Sequence, residues 1–268
     1  MAHGNDSNMI ELALQKKALQ EAIVKDTVPR PSTQRRKAFG VSLSQSSARK
    51  SPIARQVLDR HRVVVGDKLD IAHGEIDLLC TQVLQEMAEN GWRTLGITSP
   101  MPRCGKSTLA VNLAIGLAQR ALEGVVLVDF DLRNPTVGKY LGIDAKPGLS
   151  DYLRGEAPFD AALVNPGIQR LLVLPNETPV ANPYALLATS EAMSVMQRLK
   201  TANDLQAAVV DLPPLLHTDD ALALLPHIDC LLIVVADGVS KKSELEEIRQ
   251  LVKRVNVLGF VLNCPIGP

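Results

Sequence analysis

The sequence predicts an α/β fold with three layers, in which helices cover both faces of a mostly parallel sheet. From residue 93 onward, continuous apolar segments alternate with helical ones, which is typical of strands buried on both faces. One strand, residues 93–98, leads through Gly105-Lys106-Ser107 into a helix. Strand, loop, Gly-Lys-Ser and helix is the order that a phosphate-binding P-loop requires.

The remaining elements follow from the same two signals. Predicted strands are 93–98, 124–129, 171–174, 206–211, 229–235 and 256–262. Predicted helices are 75–87, 106–120, 190–201, 219–225 and 242–254. The stretch between the second and third strands has no clear period, so we expect it to be irregular.

Three regions are predicted along the chain. Residues 1–26 contain a helix over 9–25, interpreted either as a loosely packed terminal helix or as a docking handle for a partner. Residues 27–73 are rich in Pro, Ser, Arg and Lys and are predicted to be a basic linker, because such a segment buries too little apolar surface to offset chain entropy. Its charge would suit anionic lipid or nucleic acid, although a solvated tether is the simpler interpretation. Residues 74–268 form the P-loop domain.

Composition excludes several classes of protein. The 268 residues carry a formal net charge of zero, so we expect no nucleic-acid partner. The four cysteines are widely spaced, which argues against a zinc site or a disulfide framework. No apolar stretch has the length of a membrane helix, and the start lacks the order of a signal peptide. We therefore predict a cytoplasmic protein, peripheral at the inner face of the plasma membrane only through a partner.

The P-loop supplies the predicted nucleotide contacts. Backbone N–H groups and a helix N-terminus would cradle the phosphates of ATP, and Lys106 would add a positive charge. Ser107 would ligate Mg²⁺, or else satisfy a backbone N–H at the start of the helix. Pro100 replaces the expected first glycine, and a positive φ angle at Arg103 would be strained. The contact residues are Pro102, Arg103, Cys104, Gly105, Lys106, Ser107 and Thr108.

Acidic residues end two other strands. Asp129 and Asp131 follow one apolar strand, and Asp211 ends another. Because ligands of open α/β sheets bind beyond the carboxyl ends of the strands, these carboxylates should converge with the P-loop and hold Mg²⁺. Arg133 would contact phosphate, support the acidic pair, or form a structural salt bridge. Asn263, which ends the last strand, would contact adenine or form a turn.

These motifs together resemble the bacterial tyrosine kinases, the cytoplasmic P-loop ATPases of exopolysaccharide and capsule loci. The matching residues are Thr98-Ser99, Pro102, Gly105-Lys106-Ser107-Thr108, Asp129-x-Asp131-x-Arg133-x-Pro135, Asp211-x-Pro213-Pro214, 148–153, 186–193 and 261–263. The resemblance implies ATP and Mg²⁺ as cofactors, with Lys106, Asp129 and Asp131 as catalytic residues and Ser107, Asp129 and Asp211 at the metal. It also implies protein tyrosine substrates and a membrane-embedded polysaccharide chain-length regulator as activator.

The resemblance is incomplete in two places. A family motif for ring assembly, Glu-x-x-Arg-x-x-Arg, keeps Glu75 but has Leu78 and Thr81 in place of the arginines, so the oligomeric state stays open. The last residues contain no tyrosine, so we expect no tail autophosphorylation. Two alternatives therefore remain beside a kinase. One is a catalytically weak nucleotide-binding regulatory module. The other is a ParA/MinD-type positioning ATPase, which shares the deviant Walker A fold class but normally carries a lysine where Met101 stands.

Overall fold

A computed structural model of the chain describes residues 43, 47–53, 55–61, 63 and 71–263. All of them lie in one compact unit that extends from Arg35 to Pro268. The predicted N-terminal helix lies outside the described residues. None of the described helices is long and apolar enough to cross a membrane.

The unit is built on a single sheet. In the described part of the chain its strands are β1 (Arg49–Lys50), β2 (Thr94–Thr98), β3 (Gly124–Asp129), β4 (Val164–Asn165), β5 (Leu171–Leu174), β6 (Leu205–Asp211), β7 (Cys230–Ala236) and β8 (Asn256–Asn263). Their order is β1-β4-β5-β3-β6-β2-β7-β8. All neighbouring pairs are parallel except β4 and β5. The prediction of a mostly parallel sheet is confirmed.

Helices cover this sheet on both sides. In chain order those described are α1 (Arg55–Arg60), α2 (Ile71–Asn90), α3 (Lys106–Arg120), α4 (Val137–Leu141), α5 (Leu149–Leu153), α6 (Phe159–Ala162), α7 (Pro183–Leu187), α8 (Ser190–Thr201) and α9 (Lys242–Leu251). Two short 3₁₀ helices, Asp220–Ala223 and Leu225–His227, lie between β6 and β7.

Two separate apolar cores show why the fold has three layers. Alternate residues of β3 point to opposite faces, so Val126 and Val128 belong to one core and Val125 and Leu127 to the other. The first core also contains residues of α8, and the second contains residues of α2 and α3. A strand that is apolar on both faces is stable only between two helical layers.

The strands and long helices were predicted to within about four residues, but two predictions were wrong. Within the stretch predicted as a linker, β1 pairs with β4 and α1 packs against α4, and α2 begins at Ile71 rather than at residue 75. The stretch predicted as irregular after β3 contains α4, α5, α6 and β4. These elements are held by tertiary contacts and are too short to show a period.

Candidate functional site: three strand ends at the P-loop

The candidate site lies where β2, β3 and β6 end. These strands are neighbours in the sheet, and in the register Asp211 of β6 stands opposite Asp129 of β3 on one side and Ile97 of β2 on the other. Because the strands are parallel, the polar residues that follow them emerge at the same edge of the sheet. The sheet thus brings the P-loop and all three predicted carboxylates together.

The P-loop runs from the end of β2 to the start of α3. Gly105 precedes the helix with φ 89°, where a Cβ atom would lie 2.2 Å from Asn263 Nδ2. Arg103 has φ 64°, a conformation that costs energy in a residue other than glycine. The predicted strain at this position is therefore present, and such strain persists only where the surroundings impose it.

Backbone contacts from the segment after β6 fix the start of the loop. The amide of Leu215 donates to the carbonyl of Ser99 at 2.9 Å, and the amide of Leu216 donates to the carbonyl of Pro100 at 3.1 Å. Thr98 Oγ1 donates to the carbonyl of Pro213 at 2.8 Å. The segment that carries the two prolines therefore supports the P-loop.

Lys106 lies at the centre of the site. Its ammonium Nζ is 2.6 Å from Asp131 Oδ2 and 3.4 Å from Asp211 Oδ1, and it donates to Ser107 Oγ at 3.2 Å. Burial, the largest single influence, lowers the pKa of Lys106, but the carboxylates of Asp211 and Asp131 together raise it above its usual value. Lys106 is therefore charged, and it is shared between the two strand ends.

Asp129 is fully buried beside this lysine. Its Oδ2 accepts hydrogen bonds from the amides of Thr136 and Val137, both at 3.0 Å, so the carboxylate caps the N-terminus of α4. Its Oδ1 has no hydrogen-bond partner among the described residues. Burial and then the charge of Asp211 raise the pKa of Asp129 well above its ordinary range, against the lowering effect of the Val137 hydrogen bond.

The site carries more negative charge than its residues balance. Lys106 faces three carboxyl groups, of which Asp129 and Asp211 are fully buried and Asp131 is 3% exposed. Burial also raises the pKa of Asp211, although Lys106 and a hydrogen bond from Ser107 oppose the shift. Buried carboxyl groups in this number are stable only when they are protonated or paired with a further cation.

The donor set fits Mg²⁺. The orphaned atoms are Asp129 Oδ1 and Asp211 Oδ2, both buried carboxylate oxygens without a described partner. The hydroxyl of Ser107 lies beside them, within reach of Lys106. Mg²⁺ prefers hard oxygen ligands and combines one or two carboxylates with phosphate oxygens. No three His, Cys, Asp or Glu side chains cluster as a self-sufficient metal site in the described ranges, so the phosphates of a nucleotide would complete the ligand set.

Two predicted contact residues have other partners in the structure. Arg133 forms a two-pronged ion pair with Asp220, from Nε to Oδ2 at 2.9 Å and from Nη2 to Oδ1 at 3.2 Å. Asn263 Nδ2 donates to the carbonyl of Cys104 at 2.9 Å, which joins the end of β8 to the P-loop. For Arg133 the structure agrees with the salt-bridge interpretation, whereas the two roles of Asn263 stay predictions.

The other predicted loop residues differ in their exposure. Cys104 is buried, whereas Pro102 and Arg103 are exposed. The carbonyl of Thr108, in the first turn of α3, accepts from Asn112 Nδ2 at 2.9 Å. Sequence reasoning missed Asp220 altogether. Its only signal is its place in a pair of acidic residues, Asp219 and Asp220, shortly after the prolines that follow β6.

Comparisons with known proteins point to one family. No protein-family model matches the chain. The tyrosine-protein kinase CpsD of Streptococcus pneumoniae serotype 4 is 28% identical over 188 residues, 69% of this chain and 81% of that protein. The putative tyrosine-protein kinase EpsB of Ralstonia nicotianae is 30% identical over 183 residues, 66% of this chain and 24% of that protein. The tyrosine-protein kinase ptk of Acinetobacter johnsonii is 28% identical, and this chain spans only 23% of it.

Solved structures agree with this assignment. The kinase domain of VpsO has a TM-score of 0.64 at 26% identity, over 71% of this chain and 94% of that one. The septum site-determining protein MinD of Pyrococcus horikoshii, solved with Mg-ADP, has a TM-score of 0.55 at 23% identity, over 64% and 70%. At that identity the second likeness shows the fold alone. The P-loop fold, the motifs at the strand ends and the kinase relatives agree, and the chain is similar to the bacterial tyrosine kinases.

Proposed function

We propose that this protein is a protein tyrosine kinase that transfers the γ-phosphate of Mg-ATP and thereby regulates exopolysaccharide synthesis or export. One observation carries the proposal. Lys106 is held between Asp131 and Asp211, while buried oxygens of Asp129 and Asp211 have no partner among the described residues. This arrangement offers an ammonium to the phosphates and free carboxylate oxygens to a metal ion.

Nucleotide binding redistributes these contacts. The phosphates of ATP attract Lys106 away from Asp131, while the backbone amides of 104–107 and the N-terminus of α3 hold the same phosphates. Ser107, Asp129 and Asp211 would hold Mg²⁺, which, when bound, neutralises charge on the phosphate oxygens. Asn263, beside the P-loop, would face the adenine base.

Once Lys106 has moved away, the carboxylate of Asp131 is free to contact the substrate tyrosine. This carboxylate accepts the proton of the incoming tyrosine hydroxyl, whose pKa of about 10 makes such an acceptor useful. The phenol oxygen bonds to the γ-phosphorus, and the bond from that phosphorus to the bridging oxygen breaks to leave ADP. Positioning and charge neutralisation supply most of the catalysis in such transfers.

The partner we propose is a membrane-embedded polysaccharide chain-length regulator that activates the enzyme and brings it to the inner face of the plasma membrane. Support comes from the resemblance of the motifs and from the kinase names of the relatives. Residues 1–26 and the basic segment after them are the parts of the chain that we propose for this contact.

A coupled assay tests the kinase. Phosphate release and phosphorylation of a Glu-Tyr copolymer are measured with Mg-ATP for the full chain, for Lys106→Met and for Asp129→Asn. Glu123→Gln, an exposed carboxylate at the other end of β3, is the matched control. We expect tyrosine phosphorylation in the wild type and the control and its loss in both site variants.

The same assay identifies the alternatives. If the wild type binds Mg-ATP tightly but does not turn it over, the protein is a nucleotide-binding regulatory module and not a kinase. Phosphate release that is stimulated by DNA, without tyrosine phosphorylation, would instead indicate a positioning ATPase.

A further inference from the structure

We propose that Arg133 and Asp220 act together as a positioning pair, which keeps the two acidic strand ends of the site in register, and that Arg133 does not bind phosphate. The inference rests on the proposed function, because it concerns the geometry of a site that turns over ATP. It departs from the sequence-based interpretation of Arg133 as a nucleotide contact and assigns a role to Asp220.

The geometry of the pair is specific. Two nitrogens of the guanidinium, Nε and Nη2, meet the two oxygens of Asp220 at 2.9 and 3.2 Å. The third, Nη1, donates to the carbonyl of Ala181 at 3.4 Å. The planar fork of arginine matches a carboxylate in this way, whereas lysine has only a point charge. Arg133 thus joins three segments that are far apart in the sequence.

Burial makes the pair hard to separate. The side chain of Asp220 is 1% exposed and that of Arg133 is 37% exposed. The hydrogen bond to Asp220 raises the pKa of Arg133 above its ordinary value. For Arg133 to reach a phosphate, the buried carboxylate would lose its cation, and an uncompensated buried charge is strongly destabilising. The arrangement of lowest free energy for the Arg133 side chain is therefore the ion pair with Asp220.

Both residues of the pair belong to segments that also carry contacts of the site. Arg133 follows Asp131, the partner of Lys106, by two residues. Asp220 ends the segment after β6 whose amides of Leu215 and Leu216 bind the first carbonyls of the P-loop. A hydrogen bond from the amide of Val180 to the carbonyl of Leu132, at 2.8 Å, strengthens the same junction. The pair therefore connects the loop after β3, which carries Asp131, to the segment after β6, which supports the P-loop.

This placement predicts a particular kinetic defect. Without the pair, the distance between Asp131 and the segment of Leu215 and Leu216 is no longer fixed. A displacement of about 1 Å in a reacting group is enough to lower turnover by about 100-fold. The amides and the ammonium that grip the phosphates belong to residues 104–107 and stay in place. Turnover should therefore fall by about 10- to 100-fold, while the dissociation constants of Mg-ATP and Mg-ADP change by less than about threefold.

The experiment uses the full chain and four variants. They are Arg133→Met, Asp220→Asn, the double variant Arg133→Met/Asp220→Asn, and Arg133→Lys. Calorimetry gives the dissociation constants of Mg-ATP and Mg-ADP, and phosphate release and copolymer phosphorylation give turnover. The ion pair of Arg49 on β1 with Asp144, at 2.7 Å and with an Asp144 side chain that is 65% exposed, provides a matched control variant, Arg49→Met/Asp144→Asn.

Three results support the proposal. Asp220→Asn lowers turnover although it leaves every proposed nucleotide contact intact. The double variant is more active than Arg133→Met, because it removes the unpaired buried charge together with the arginine. Arg133→Lys restores turnover only partly, since lysine cannot form the two-pronged contact.

Other results overturn it. If Arg133 is a phosphate ligand, Arg133→Met weakens Mg-ATP binding more than tenfold but leaves Mg-ADP binding unchanged, and Asp220→Asn has no effect. Wild-type turnover in all four variants overturns it as well. Should Arg133→Met fail to fold, Asp220→Asn and the double variant still decide the question. If the wild type hydrolyses ATP without phosphorylating tyrosine, only the kinase proposal fails, because hydrolysis and affinity still report on the pair.

Discussion

Replacing Asp129 with asparagine should stabilise the ligand-free protein while it removes activity. Asp129 is fully buried, stands opposite Asp211 in the sheet register and shares one lysine with two other carboxylates. An asparagine oxygen can accept both amide hydrogen bonds from the start of α4, so the helix cap survives. The amide group of asparagine would replace Oδ1, which has no described partner, beside the carboxylate of Asp211.

The size of the effect follows from the buried atom that Asp129 leaves without a partner. Burial and the charge of Asp211 raise the pKa of Asp129 well above its ordinary value, so its ionised form is unfavourable in the folded protein. An unsatisfied buried polar group costs about 1–3 kcal/mol, and we expect the free energy of unfolding at neutral pH to rise by about 2 kcal/mol when this cost is removed. For a domain of this size, that gain raises the melting temperature by roughly 4–8 °C.

The pH dependence gives the prediction its sign. An acid whose pKa is higher in the folded than in the unfolded state stabilises the fold while it is protonated, and this contribution is lost as pH rises through the folded-state pKa. The advantage of Asp129→Asn should therefore be small near pH 4 and grow toward pH 8.

Thermal melts of the wild type, Asp129→Asn and the Glu123→Gln control, taken from pH 4 to pH 8 without nucleotide or metal, check this. Mg-ADP should then raise the melting temperature of the wild type more than that of Asp129→Asn, because the stabilisation by a ligand grows with the ratio of its concentration to its dissociation constant. A lower melting temperature for Asp129→Asn at pH 8 would refute the idea of excess negative charge.

Three further substitutions follow from the same contacts. Lys106→Met removes the cation that faces the buried carboxylates, so the melting temperature should fall at pH 8 and recover toward pH 5 as they take up protons; a pH-independent loss would contradict this. Gly105→Ala places a Cβ 2.2 Å from Asn263 Nδ2 at φ 89°, so calorimetry should show at least tenfold weaker binding of Mg-ADP; unchanged binding would show that the loop relaxes freely. Gly116→Ala places a Cβ 2.5 Å from Cys80 Sγ between α2 and α3 and should cost about 1–3 kcal/mol of stability, as overpacking does. Melts of a double variant with Cys80→Ala should recover most of that loss.

The sheet, and the meeting of the carboxylates at one of its edges, could be predicted from the sequence for a physical reason. Parallel strands buried on both faces are long apolar runs, and Asp129 and Asp211 end two such runs. Because ligands of these sheets bind at one edge, placing the strands also places the carboxylates. The contacts of Lys106 with Asp131 and Asp211 follow from that topology and from the P-loop order.

What escaped prediction depends on contacts between distant residues. β1 consists of Arg49 and Lys50 alone, and it exists because β4 provides a partner. No propensity or period marks so short a strand. The pairing of Arg133 with Asp220 spans 87 residues, and one sequence contains no signal for it. The cap that Asp129 provides to α4 is equally hidden, because the helix has only five residues.

The excess negative charge of the three buried carboxylates links the stability of the protein to ligand binding. A stable core would not bury three carboxylates around one lysine, because each unbalanced charge weakens the fold. The arrangement is tolerated because the P-loop, the cap of α4 and the Arg133–Asp220 pair hold the carboxylates from outside the cluster. In the proposed complex Mg²⁺ would offset the charge of the buried carboxylates, so part of its binding free energy would come from repulsion that the ligand-free protein already carries. Sites of this kind lose stability in order to gain affinity, and neutralising Asp129 should reverse both.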